Sequence, residues 1–136
     1  MQTRSTPDAR FIARCVLAAL YLAAGALHLM VPGPFLGIMP VWVPLPSSVI
    51  HLTGLAEIAG AVGLMIPRFR RAAGIGLALY AVCVYPANIQ HAINDLTTGT
   101  GLPLAYHLIR LPLQPLIVWW ALWVGNVIDW PFRKRG

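Results

Sequence analysis

The segment HLTGLAEIAGAVGLMIP, residues 51–67, decides the fold. It is apolar and rich in glycine, and together with Val49 and Ile50 it is long enough to cross a bilayer as a helix. Its one carboxylate, Glu57, stands near the middle of the segment and therefore lies at membrane depth. Because an ionisable group at that depth is costly, it marks a functional or a paired site by default. Glu57 thus requires a partner elsewhere in the chain.

The composition of the whole chain is typical of a membrane protein. Among its 136 residues, 58% are hydrophobic and 10% are charged, whereas about a quarter of the residues in a soluble protein are charged. The net charge of +6 does not indicate nucleic acid as a partner, because no basic face or stacking platform accompanies it. The length predicts a single domain over residues 1–136, with the lipid bilayer around it.

Four apolar runs predict an all-α fold, an integral membrane four-helix bundle with helices at residues 11–31, 49–66, 72–91 and 104–125. The first run has one feature of a signal peptide, since residues 24–26 have the form of a cleavage site. A signal peptide contains about 7–15 apolar residues, and this run is longer. We therefore favour a first helix that is retained, although the sequence leaves open whether it is retained in every context.

The segment between the first two helices predicts a proline-rich outer loop. Residues 32–48 contain five prolines and no charge, which prevents a regular helix, and Phe35 and Trp42 suit the headgroup region. We expect one helical turn at residues 35–39. Farther along, we expect Pro86 to interrupt the third helix and a polar loop to occupy residues 94–103.

The basic residues predict the orientation of the bundle. Nine of the ten Arg and Lys residues flank the helix ends that would share one side of the membrane, namely Arg4, Arg10, Arg14, Arg68, Arg70, Arg71, Arg133, Lys134 and Arg135. Because cytoplasmic loops carry the excess of basic residues, both chain termini are expected in the cytoplasm. The localisation that follows is a multi-pass protein of the bacterial inner (plasma) membrane.

The tenth basic residue, Arg110, provides a candidate partner for Glu57. With a rise of about 1.5 Å per residue, Glu57 lies about 12 Å and Arg110 about 9 Å inward from the outer ends of their helices. We therefore expect an intramembrane ion pair between them. Other polar side chains at similar depth complete a predicted outer cluster, which is a candidate ligand site: His28, His91, His107, Asn88 and Gln114.

Each of these residues also has a purely structural interpretation. A histidine at a helix end is often an interfacial residue, and Asn88 can satisfy backbone groups freed near Pro86. The pair of Glu57 and Arg110 can fix the helices without any chemistry. We expect no metal site, because no His, Cys or carboxylate motif has the spacing of metal ligands, and haem is disfavoured because no histidine lies deep in the core.

The sequence resembles the DoxX family of small bacterial membrane proteins over about residues 20–125. The resemblance rests on four segments: GALHLMVPGPFLGIMPVWVPLP, HLTGLAEIAGAVGLMIPRFRRAAGIGLAL, VYPANIQHAI and LIRLPLQPLIVWWAL. It implies a four-helix inner-membrane bundle, and it associates some relatives with redox complexes, including a thiosulfate:quinone oxidoreductase. The residues that match the motifs are Gly54, Glu57, Pro67, Arg68, Pro86, Asn88, Arg110 and Gln114, with His28 and Pro32 at the end of the first helix.

The predicted function is that of an accessory or redox-associated membrane subunit. Its outer polar pocket would bind a quinone headgroup or a small polar ligand, with membrane or peripheral redox proteins as partners. The sequence contains no independent catalytic motif, so enzymatic activity stays open, and a homo-oligomer is compatible with it. The alternative is a structural or interaction protein in which Glu57 and Arg110 only fix the helix bundle.

Overall fold

A computed structural model describes residues 8–132, and that part of the chain is built from helices and connecting turns without any strand. The five helices are α1 (Ala9–Met30), α2 (Gly33–Gly37), α3 (Pro46–Met65), α4 (Arg70–Thr98) and α5 (Leu104–Val124). The predicted all-α class is thus confirmed for the described residues. The basic residues Arg4, Arg133, Lys134 and Arg135 lie outside them.

Three helices, α1, α3 and α4, are long and apolar enough to cross a membrane. Their outward side chains fit such surroundings, since large hydrophobic residues such as Leu20 (56% exposed) and Leu79 (60% exposed) face away from the protein. A continuous exposed apolar surface marks contact with lipid or with another protein. The predicted fourth helix is present as α5, which contains Pro112 and Pro115, but it is not one of the three.

The four long helices contact one another in a ring. Helix α1 packs against α3, α3 against α4, α4 against α5, and α5 against α1. Helices α1 and α3 approach closely where Gly25 and Gly54 meet, since a Cβ atom on Gly25 would lie 2.7 Å from the carbonyl oxygen of Gly54. Small residues permit this kind of contact between membrane helices. One turn farther along α1, the same contact brings His28 to Glu57.

Helix α4 is longer than predicted. It continues through Pro86 and ends at Thr98 rather than at residue 91, so the first half of the predicted polar loop is helical. Proline is tolerated inside a membrane helix because groups of neighbouring helices can form hydrogen bonds with the backbone groups that it frees. The hydroxyl groups of Thr97 and Thr98 donate to carbonyl oxygens one turn back, and Gly99, with φ of +69°, ends the helix. Asp95 therefore lies on the helix and not in a loop.

The proline-rich segment is also more ordered than predicted. Its helical turn is present, at Gly33–Gly37 instead of residues 35–39. Helix α3 begins at Pro46, three residues before the predicted start at residue 49, because proline is favoured at the first position of a helix, where its missing N–H group is not needed.

Three of the described basic residues, Arg10, Arg14 and Arg71, gather at one end of the ring. Arg14 is buried and donates to the carbonyl oxygen of Val124 at 2.8 Å, where a cation stabilises the carboxyl end of α5. The side chain of Arg10 bonds to Asn126 at 3.2 Å and to Asp129 at 2.6 Å. Arg71 donates to the carbonyl oxygen of Asn126 at 3.2 Å. We call this the basic end of the ring.

Candidate functional site

A cavity of about 490 Å³ opens between the helices at the end opposite to the basic end. Small-molecule sites in proteins have volumes of about 300–1,000 Å³ and combine an apolar lining with a few polar groups. This cavity has that character: apolar side chains of all five helices and of the α2–α3 loop form most of it. The ionisable or amide-bearing residues that line it include His28, Glu57, Tyr80, Asn88, His91, Arg110 and Gln114.

Glu57 forms the centre of one polar wall. Its side chain is buried, and its two oxygens accept hydrogen bonds from His28 Nδ1 at 2.8 Å and from the hydroxyl group of Tyr80 at 2.7 Å. His28 Nδ1 also lies 2.8 Å from the carbonyl oxygen of Ala24. Because that oxygen can only accept, Nδ1 carries the proton. Glu57 on α3 is thereby joined to α1 through His28 and to α4 through Tyr80.

Arg110 forms the centre of the other polar wall. It donates from Nη2 to Asn88 Oδ1 at 2.6 Å and from Nη1 to His91 Nδ1 at 3.1 Å. A guanidinium group has only donors, so Nδ1 of His91 accepts this bond. Gln114, four residues after Arg110, donates to the carbonyl oxygen of Ala81 at 2.8 Å, in the turn of α4 that precedes Pro86. These bonds join α5 to α4.

The predicted ion pair between Glu57 and Arg110 was wrong. Within the described residues the two side chains form no salt bridge, although both line the same cavity. Their helices, α3 and α5, are not neighbours in the ring, and each side chain bonds to residues of the helices beside it. Their positions along the two helices bring both residues to one cavity, but the order of the helices around the ring was not available from the sequence.

His107 does not join the cavity. It is buried near the start of α5, and its Nε2 lies 3.0 Å from Asp95 Oδ2. The same oxygen lies 3.0 Å from His91 Nε2 and accepts a hydrogen bond from the backbone N–H of Leu102 at 3.0 Å. We call His91, Asp95 and His107 the outer triad. His91 is shared, because its Nε2 belongs to this triad while its ring also lines the cavity.

Two residues of these sites, Tyr80 and Asp95, were not predicted from the sequence. Tyr80 stands in an apolar run and gave no signal of its own. Asp95 did give a signal, because it follows His91 by four residues, a spacing that places two side chains on one helix face. The expectation that no motif has the spacing of metal ligands was therefore wrong. It failed because the third helix was predicted to end at residue 91, which left Asp95 in a loop.

Comparison with known proteins places most of the chain in one family. A family model described as a domain of unknown function, DUF8561, matches residues 17–125. The match runs from α1 to the end of α5 and includes both polar walls and the outer triad. No curated protein and no solved structure matches the chain.

Proposed function

Because the chain belongs to the DUF8561 family, whose description names no activity, we propose a function from the cavity itself. The protein binds, inside a membrane, a quinone headgroup or a small polar molecule of similar shape. The observation that carries this proposal is a mostly apolar cavity of about 490 Å³ with Glu57 in one polar wall and Arg110 in the other.

The proposal places all four long helices across a bacterial inner membrane, with both chain termini in the cytoplasm. Its support is the convergence of Arg10, Arg14 and Arg71 at the basic end, together with the rule that cytoplasmic ends are basic. The cavity then opens in the half of the bundle that faces the outside. Helix α5 crosses the membrane with its polar face turned toward the cavity and its apolar face, including Ile109 (71% exposed), toward lipid.

The polar walls suit a ligand with carbonyl groups on a flat ring. Arg110 has five N–H donors, and Asn88 and His91 accept two of them, so the remaining donors are available to a carbonyl oxygen of the ligand. On the other wall, His28 and Phe35 lie ring against ring, with centroids 4.0 Å apart, and they provide an aromatic surface. The apolar lining accommodates the ring and the start of a hydrocarbon tail.

A redox role would require a partner protein. Reduction of a quinone takes up two electrons and two protons, and the chain contains no electron-carrying motif in its sequence. The resemblance to the DoxX family, some of whose members are associated with quinone-reducing complexes, supports the role of an accessory subunit. In that role the chain holds the quinone headgroup, and the partner delivers the electrons.

The alternative function is structural, and one observation favours it. The hydrogen bonds of Glu57 and Arg110 connect three pairs of helices, α1 with α3, α3 with α4, and α4 with α5. These bonds would stabilise the bundle without any ligand. In that case, substitutions in the two walls would reduce stability but would have no ligand affinity to change.

Equilibrium binding of a short-chain benzoquinone to the detergent-purified chain distinguishes the two functions. Quenching of tryptophan fluorescence reports binding, because Trp42 lines the cavity. We expect Arg110→Gln to weaken binding about 10- to 100-fold, since one charge-assisted hydrogen bond contributes about 1.5–3 kcal/mol. The control is Arg68→Gln, because Arg68 is exposed and does not line the cavity. Equal affinities in the wild type and both variants, or no saturable binding, would refute the ligand function.

A further inference from the structure

The outer triad brings together three side chains of the kinds that bind transition metals. His91 Nε2 and His107 Nε2 each lie 3.0 Å from Asp95 Oδ2, and the ligand atoms of all three residues lie within 4.8 Å of one another. Two of the residues come from successive turns of α4 and the third from α5. Both histidines are buried, whereas the Asp95 carboxylate is at the more accessible end of the group.

From this geometry we propose that His91, Asp95 and His107 bind a divalent transition-metal ion, with Zn²⁺ as the reference ion. Two imidazoles and one carboxylate are a ligand set that zinc accepts, with a fourth position open to water or another ligand. Zinc lies about 2.0–2.2 Å from such ligands, and the three ligand atoms of the triad already lie within 4.8 Å of one another. The site requires no quinone and does not rest on the proposed function of the cavity.

The surrounding groups determine what metal binding must change. Leu102 N–H donates to Asp95 Oδ2 at 3.0 Å, and such a donor can stay in place and orient the carboxylate beside a metal. The Nε2 atoms of both histidines have to lose their protons, because a metal binds the lone pair of a neutral imidazole. The Nε2 proton of His91 is present in the metal-free triad, since Nδ1 of that ring accepts a hydrogen bond from Arg110.

Arg110 consequently competes with the metal. When a metal occupies Nε2 of His91, the remaining ring proton sits on Nδ1, where it faces the guanidinium donor at 3.1 Å. The bond between Arg110 and His91 is then lost, and the positive charge of Arg110 also repels a dication. Metal binding therefore releases one N–H donor of Arg110, and removal of the guanidinium should tighten metal binding about tenfold or more.

The experiment is a titration of the untagged, metal-free full chain in detergent with Zn²⁺ and with Co²⁺. Isothermal titration measures stoichiometry and affinity for Zn²⁺, and the visible spectrum of bound Co²⁺ reports its ligand geometry. We expect one ion per chain, loss of binding in Asp95→Asn and His107→Gln, and tighter binding in Arg110→Gln. His51→Gln is the matched control, because His51 is exposed and its Nδ1 bonds within α3, to the Ser47 carbonyl oxygen at 2.7 Å.

Several results would overturn the inference. They are the absence of stoichiometric binding in the wild type, an equal loss of binding in His51→Gln, and retained binding in Asp95→Asn. If the substitution of buried His107 prevents folding, Asp95→Asn carries the test, because that side chain lies at the accessible end of the triad. Unchanged affinity in Arg110→Gln would contradict the assignment of His91 Nε2 as a ligand.

Discussion

Replacing Tyr80 by phenylalanine removes one of the two hydrogen bonds that the buried Glu57 carboxylate accepts from side chains. A hydrogen bond to a charged group contributes about 1.5–3 kcal/mol, whereas a neutral one contributes about 0.5–1.5 kcal/mol. We therefore expect Tyr80→Phe to lower the free energy of unfolding by about 2 kcal/mol in the wild-type background. In a Glu57→Gln background, where the acceptor is neutral, the same change should cost about 1 kcal/mol.

The difference is a coupling energy of about 1 kcal/mol between Tyr80 and Glu57, within the range for residues in contact. Glu57 and Arg110 have no partner in common, so their substitutions, Glu57→Gln and Arg110→Gln, should be additive to within about 0.5 kcal/mol. Reversible unfolding in mixed micelles, followed by circular dichroism, gives all the free energies required. Tyr85→Phe is the control on the same helix, because no hydrogen bond of the Tyr85 hydroxyl occurs within residues 8–132.

A coupling energy between Glu57 and Arg110 that exceeds the one between Glu57 and Tyr80 would refute this account. It would restore the ion pair that the sequence alone predicts, and it would mean that Glu57 reaches across the cavity instead of bonding to the helices beside it. A large effect of Tyr85→Phe would show that the tyrosine substitutions act through packing and not through the hydrogen bond.

Two further predictions concern stability. Gly74→Ala should lower the unfolding midpoint, because its Cβ atom would lie 2.8 Å from the carbonyl oxygen of Ala121 and overpacking of this kind costs about 1–3 kcal/mol. The control is Gly76→Ala, whose Cβ atom meets open space and which should be neutral or stabilising by up to about 1 kcal/mol. The same change of midpoint in both variants would contradict the close contact at Gly74. Arg14→Gln should destabilise by about 1.5–3 kcal/mol through loss of the bond to Val124, measured by the same unfolding assay, and an unchanged midpoint would show that this bond contributes nothing.

The helices were predictable because apolar length and basic flanks are properties of the linear sequence. The four long helices appear where the apolar runs predict them, and Arg110, Asn88 and Gln114 share a cavity wall as their positions on two helices suggest. The end of α4 was not predictable in the same way. Pro86 and the polar residues after it argue for a loop, but threonine hydroxyls and Gly99 supply the end of the helix two turns later.

The pairing of buried polar groups could not be predicted, because it depends on which helices are neighbours. Glu57 and Arg110 are the two charges of similar depth, and the sequence offers no reason to separate them. In the folded chain, Glu57 accepts hydrogen bonds from Tyr80 and His28 instead. Tyr80 has no polar residues near it in the sequence, so nothing distinguished it from an ordinary tyrosine of a membrane helix. The outer triad was missed for a different reason, since its His91 and Asp95 spacing was visible once α4 was extended.

The glycine contacts divide the ring into stiff and compliant junctions. Helices α1 and α3 meet backbone to backbone at Gly25 and Gly54, and α4 meets the end of α5 in the same manner at Gly74 and Gly125. At the α3–α4 junction, by contrast, Gly60 faces the side chain of Leu77, and a flexible side chain can yield where a backbone cannot. We expect changes in cavity width to occur as rigid movement of the α1–α3 pair relative to the α4–α5 pair. The distance between a spin label on α3 and one on α4 should then vary, whereas the distance between a label on α1 and one on α3 should stay constant.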